Sequence, residues 1–416
     1  MKNKIKQGPM ITREGNELVF GNLTNPGIVY EFIEILNSSL RNSDRNYILN
    51  FKHVKNAFPN VCVPIAGIIE NLMVKGYQFE FHYLSDYLRN LSIKEPIRVK
   101  ENKEIVQTSS LDKVWRFESA DDIYLLIKSF VQELSQIIVC EKGVLEGFDW
   151  SINEVLDNVL QHSTKNFGYV MGQVHENSRH FVFCVYDTGQ GIYTSLLQSD
   201  HVPKTPDEAL KLAVSEGITR DKKIGQGNGL WGLHQIVLEN TGQLNIISSS
   251  AAYNLTNKKV TVYPNQPQLP YDNGCIVDFQ LDYSKEISVS KALGGYEPVN
   301  LKMESLEDHA GNIILNLKNK ESGVGTRQSG EKIRNEIINL YKQSGKTITL
   351  DFSEIRMISS SFADELIGKL VTEFGFYGFN NIFKLKNMKP DVQSIVQRSV
   401  AQRMIESFNG DKKNTA

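Results

Sequence analysis

Apolar and polar positions divide the chain into three stretches with different rhythms. Near the start, Asn46 to Phe51 (NYILNF) reads as a buried strand, Val63 to Val74 as a helix with apolar spacing, and Tyr77 to Tyr83 (YQFEFHY) as an alternating strand. These elements form a small α/β unit within residues 1–95. Ile93 to Glu104 is charged and contains proline, which suits a linker. From Asp121, the run DDIYLLIKSFVQELSQIIV has helical spacing behind an acidic start, the charge favoured at a helix N-terminus. Trp150 to His162 predicts a second helix and Trp231 to Glu239 a third. Tyr169 to Val174, Phe181 to Tyr186, Leu244 to Ser248 and Cys275 to Leu281 predict strands. This order predicts an α/β sandwich over 111–283 with helices on one sheet face. Ala251 to Asp272, rich in Asn, Pro, Gln and Tyr, reads as a loop insertion or hairpin.

Past Ser284 the segment SVSKALGGYEPVN reads as a linker. Strands at Ile313 to Leu317 and Thr347 to Phe352, with helices at Ser329 to Tyr341 and Phe362 to Phe374, make a third domain over 311–395, followed by a tail, 396–416. A short repeat links the two ends of the chain. ILNFKHVKNAFPN lies against TLDFSEIRMISSS with Asn50 on Asp351, Phe51 on Phe352 and Val54 on Ile355.

Composition narrows the class. The 416 residues exceed a single typical core, and 40% hydrophobic with 23% charged residues suits folded domains rather than disorder. A formal net charge of -2 argues against a dedicated nucleic-acid binder. The start, MKNKIKQGPMITREGNE, lacks a signal-peptide core, and no apolar run is long enough to span a bilayer. A cytoplasmic location and no membrane association are expected. Cys62, Cys140, Cys184 and Cys275 are scattered, which reads as small buried apolar residues rather than a metal or redox motif.

Three motifs carry chemistry. In NEVLDNVLQH, Glu154, Asn158 and His162 recur at every fourth position and share one helix face. A carboxylate there can orient or deprotonate a nucleophile beside a γ-phosphate, and an amide oxygen suits Mg²⁺ already bridging phosphates. In VYDTGQGI a strand runs into Asp187, Gly189, Gly191 and Ile192. Its carboxylate can accept a hydrogen bond from an adenine amino group. In GQGNGLWGL, Gly225, Gly227, Asn228, Gly229 and Leu230 lead into a helix, offering N–H groups and a positive dipole end to phosphates. About 35 residues separate the second and third motifs, a length that suits a lid. Arg220, Lys222 and Lys223 within it can reach phosphates, although such charge runs are commonly just solvated. His162 and His234 read as structural hydrogen-bonding residues, and Trp231 as packing.

The ordered set NExxDNxxxH, DxGxGI and GxGxGLxGL resembles the N, G1 and G2 boxes of the GHKL superfamily over roughly Ser119 to Tyr283. That resemblance implies a Bergerat α/β sandwich binding ATP and Mg²⁺. Glu154 would be the catalytic or water-orienting carboxylate, Asn158 the Mg²⁺ ligand, Asp187 the adenine anchor and Gly225 to Gly229 the phosphate loop. One departure is Cys275 after Gly274, where family members often carry threonine.

LDFSEIRMISSSFADELIGKL resembles a bacterial STAS-like domain, related to anti-anti-sigma factors, over about Asn312 to Asn387. The resemblance implies a phosphoacceptor candidate at Ser360, with Ser359 and Ser361 next to it, while the commoner role of a serine at a helix start, helix capping, comes ahead of phosphorylation. The N-terminal unit, if a degenerate copy, carries Phe58, Pro59 and Asn60 at this place. The expected fold is therefore α/β: a GHKL (Bergerat) sandwich flanked by STAS-like α/β units. The expected activity is an ATP-dependent regulatory switch, with a serine/threonine kinase of anti-sigma-factor type as the alternative. A STAS-like protein partner, in the same chain or separate, and a homodimer are both compatible.

Overall fold

The computed structural model describes residues 9–40, 45–163, 165–218, 229–268, 273–298, 301–309, 311–320 and 323–411. The chain is mixed α/β and divides into two compact units.

The first unit takes Met1–Val131, Gly147–Tyr283 and Ile287–Tyr296. Its first sheet holds β1 (Ile11–Glu14), β2 (Glu17–Phe20), β3 (Asn46–Asn50) and β4 (Gln78–His82) in that order, the last three parallel. Helices α1 (Gly27–Leu40) and α2 (Pro59–Val74) connect them. Short helices α3 (Asp86–Asn90) and α4 (Lys103–Thr108) follow, then α5 (Ala120–Ile137), which belongs to this unit as far as Val131.

An eight-stranded sheet forms the centre. Its strands are β5 (Ile97–Arg98), β6 (Trp115–Phe117), β7 (Gly168–His175), β8 (His180–Asp187), β9 (Gln243–Ser248), β10 (Ala251–Thr256), β11 (Lys259–Pro264) and β12 (Cys275–Asp282). They lie in the order β11-β10-β9-β12-β8-β7-β6-β5. The segment 93–104, read as a linker, contributes the edge strand β5. The segment from Ala251 forms a hairpin, with Asn257 and Lys258 both at positive φ, the two-residue turn whose twist matches paired strands.

Alternation along β8 sends successive side chains to opposite faces. Phe181 and Phe183 meet Phe148 of α6 (Val144–His162) at centroid distances of 5.2 and 4.5 Å, while Phe130 of α5 caps Phe183 at 4.9 Å. On the other face Cys184 and Tyr186 share one buried cluster with Tyr169, Ile276 and the apolar residues of α1, α2, β2 and β3. The expectation of helices on one face is therefore corrected: α2 covers the second face. Its periodicity shows why, since Val61 to Ile69 are buried on every side. Helices α7 (Gly191–Leu196), α8 (Pro206–Ala213), α9 (Gly229–Asn240) and α10 (Val289–Ala292) complete this unit.

The second unit takes Gln132–Glu146, Ser284–Glu286 and Glu297–Ala416. Three parallel strands, β13 (Ile313–Asn316), β14 (Ile348–Asp351) and β15 (Phe383–Lys386), form its sheet. After α11 (Leu301–Ser305), α12 (Arg327–Ser344) connects the first two strands. A helical run joins the others: α13 (Ser360–Ala363), a π turn (Asp364–Gly368) and α14 (Lys369–Ile382). Helix α15 (Pro390–Asp411) follows, where the sequence reading placed a tail from residue 396.

Asparagines on α12 hold the end of α5. Asn339 donates to the carbonyls of Ser135 (2.9 Å) and Ile138 (2.8 Å) and accepts the N–H of Cys140 (2.7 Å), while Asn335 donates to Gln136 (3.0 Å). The last carbonyls of a helix have no partner within it, so these amides act as its cap.

Candidate functional site

Helix α6 forms because Phe148, Ile152, Val155, Leu156 and Val159 fall on one stripe and are buried. The same spacing places Glu154 and Asn158 together on the flank, half-buried. Burial raises the Glu154 carboxyl above its usual range, with the Asp157 charge adding to the rise. The His162 side chain lies outside the described residues.

At this flank stands Gly229, the first residue of α9. A methyl group there would lie 2.6 Å from Glu154 Oε2 and 3.3 Å from Asn158 Nδ2. The first and third motifs therefore meet, with the bare glycine leaving room for the Glu154 carboxylate beside the helix start. Leu230 follows in the helix, half-buried. Gly225, Gly227 and Asn228, like Arg220, Lys222 and Lys223, lie outside the described residues.

The second motif lies at the end of β8. Asp187 is 8% exposed, and its Oδ1 accepts the N–H of Gly189 at 2.7 Å, closing a tight turn. The turn abuts the end of α6, since a methyl on Gly189 would lie 2.9 Å from Ser163 Cα. Gly191 has φ +74 and opens α7, whose Ile192 N–H donates to Ser248 Oγ at 2.9 Å.

Strand register sets Asp187, Cys275 and Ser248 side by side on β8, β12 and β9. Cys275 stands where a threonine was expected from the family resemblance, and burial followed by the Asp187 charge pushes its thiol well up. Two buried hydroxyls here, Thr188 Oγ1 and Ser249 Oγ, have no hydrogen-bond partner among the described residues. Unsatisfied buried polar atoms beside a glycine turn and an acidic strand end fit a polar ligand edge. Periodicity did not single out Ser248, Ser249 or Thr188. Only the Ser-Ser-Ser ending of the β9 run hints at them.

In the second unit, Ser359 Oγ accepts the Phe362 N–H at 3.0 Å and lies 3.0 Å from Ser361 Oγ. The helix cap is thus Ser359, while Ser360 is exposed. Behind the serines, Asp364 and Glu365 pair with Arg327, Arg334, Lys369 and Arg403. The four cysteines are free thiols, and among the described residues no helix is long and apolar enough to cross a membrane.

Residues 329–393 match the family described as STAS-like domain of unknown function (DUF4325), so the chain carries a STAS-like domain there. No curated protein matches the chain.

Proposed function

We propose that residues 111–283 bind ATP with Mg²⁺ in the GHKL manner, and that the chain is a regulatory switch coupling ATP hydrolysis to its STAS-like domain. The approach of Gly229 to both Glu154 and Asn158 carries this reading, because it joins two motifs separated by some 70 residues of sequence. Asp187, with the unpartnered Thr188 and Ser249 hydroxyls, fits the amino edge of an adenine. Asn158 Oδ1 would hold Mg²⁺, and bound ATP supplies the γ-phosphoryl group. Glu154, whose burial raises its carboxyl and so makes the carboxylate a stronger base, takes a proton from the attacking water or hydroxyl.

A serine kinase activity is the second reading, favoured by one observation: Ser359 makes the helix cap and leaves Ser360 exposed. Incubation of the full chain with γ-labelled ATP separates the two. Free labelled phosphate, lost in Glu154→Ala and unchanged in Ser360→Ala, supports the switch. Label on protein that disappears in both variants supports the kinase. Neither product, with no ATP binding by calorimetry, overturns both.

A further inference from the structure

The parallel strands β2, β3 and β4 and the parallel strands β13, β14 and β15 share more than their order. Asn50 Oδ1 accepts the Lys52 N–H at 3.0 Å, and Asp351 Oδ1 accepts the Ser353 N–H at 2.9 Å. Phe51 N–H donates to His82 O at 3.1 Å and Phe352 N–H to Lys386 O at 3.0 Å. Val54 N–H returns to Phe51 O at 3.0 Å, and Ile355 N–H to Phe352 O at 3.1 Å. A helix then starts in each, at Pro59 and at Ser360. The same hydrogen bonds thus recur at matching positions in both segments.

The helix faces also correspond. Gly67 stands as far beyond Asn50 as Gly368 stands beyond Asp351. A methyl on Gly67 would lie 2.5 Å from the Tyr186 ring and 2.9 Å from that of Tyr169, so this glycine lets α2 rest flat on β7 and β8. A methyl on Gly368 would lie 3.1 Å from Arg403 Cγ and 3.7 Å from Ser399 O, so the equivalent glycine lets α15 lie close. Where one module receives a β-sheet, the other receives the C-terminal helix.

We propose that residues 17–82 are a second, docked STAS-like module, and that α15 from Ser399 onward is a displaceable cover over the equivalent protein-docking face of the C-terminal one. The family match ends at residue 393, before the covering residues begin. Val392 and Val396 anchor the first turns of α15 in the core, Ser399 is buried, and Val400 and Met404 pack against the core, whereas Ile405 is 61% exposed. The cover is held by a forked ion pair, Arg403 Nε and Nη2 to Asp364 Oδ1 and Oδ2 at 2.7 and 2.8 Å. In the first module the position of Asp364 is taken by Val63, fully buried under the sheet. The partner this face fits is a β-sheet surface offering a flat aromatic ring against Gly368 and a cation to replace Arg403 on Asp364.

Hydrogen exchange read by mass spectrometry on the full chain tests this with Asp364→Asn and Arg403→Gln. In both, residues 397–406 exchange about 10-fold or more faster, the scale of one charge-assisted bond, while β13, β14 and β15 keep their protection. The dye ANS, used as the probe of the uncovered face, gains fluorescence with cooperative unfolding retained. Exchange of α15 together with β14 as one unit overturns the proposal, as does unchanged exchange in both variants.

Discussion

Glu154 and Gly229 stand in contact: a methyl on Gly229 would lie 2.6 Å from Glu154 Oε2, the movable end of a side chain rather than fixed backbone. Gly229→Ala should therefore fold, losing no more than about 1 kcal/mol, because the carboxylate can swing away. On the proposed function, the displaced carboxylate would no longer meet the nucleophile. ATP turnover should fall about 10² while ATP affinity changes little, the pattern also expected of Glu154→Ala. Steady-state phosphate release with calorimetric binding on the same samples checks both, and equal loss of affinity and turnover would place Glu154 in binding instead.

Asp187 and Asn158 should separate base recognition from metal recognition. Asp187→Ala should weaken ATP binding by roughly 1.5–3 kcal/mol, with or without metal, since a hydrogen bond to a buried charge is lost. Asn158→Ala should weaken it chiefly when Mg²⁺ is present. Titrations in Mg²⁺ and in EDTA decide between these profiles, and an Asn158→Ala loss of the same size in EDTA contradicts the metal role.

Asp278 predicts a pH effect on stability. Its carboxyl is buried on β12 under α2, with Asn60 Nδ2 at 3.4 Å and Asn245 Nδ2 at 3.3 Å from Oδ2, while Oδ1 has no partner among the described residues. Burial pushes it up to about 6 from 3.8. The folded value exceeds the unfolded one, so its contribution is fully present below about pH 4 and is lost as pH rises through about 6. Asp278→Asn, neutral at every pH, should be more stable than wild type at pH 7.5, on the order of 2–3 kcal/mol for a shift of this size, and should lose that advantage near pH 4. Urea unfolding at both pH values measures it, and parallel pH profiles would rule the titration out.

Asn339 makes three hydrogen bonds to the end of α5 and is 2% exposed. Asn339→Ala should cost roughly 2–4 kcal/mol, since buried groups left unpaired lose about 1–3 kcal/mol each. Denaturant unfolding monitored in the second unit gives the value. A fragment spanning 111–283 removes Asn335 and Asn339 and uncovers Val139, which packs against the core of the second unit, so it should be less soluble than the full chain.

Local order settled much of this protein in advance. Helix α6, strands β7, β8, β9 and β12, and the STAS-like segment were legible because their hydrophobic periods are strong and their turn residues unambiguous. The candidate residues Glu154, Asn158 and Asp187 stand out in the sequence because residue type and spacing along one element need no partner to be noticed. Tertiary structure decided which of them meet. Gly229 faces Glu154 only because α9 returns beside α6 after a long excursion, and no local pattern encodes that return. It also decided what covers each face. The apolar residues of α2 are buried all round since a second sheet lies over them, whereas a lone helix of that composition reads only as hydrophobic. Asn339 looked like an ordinary polar residue on an amphipathic helix, and its burial follows from the open carbonyls of α5 arriving opposite it. Periodicity reports which side of an element is apolar; the identity of the opposing surface is a long-range property, fixed only when distant segments pack.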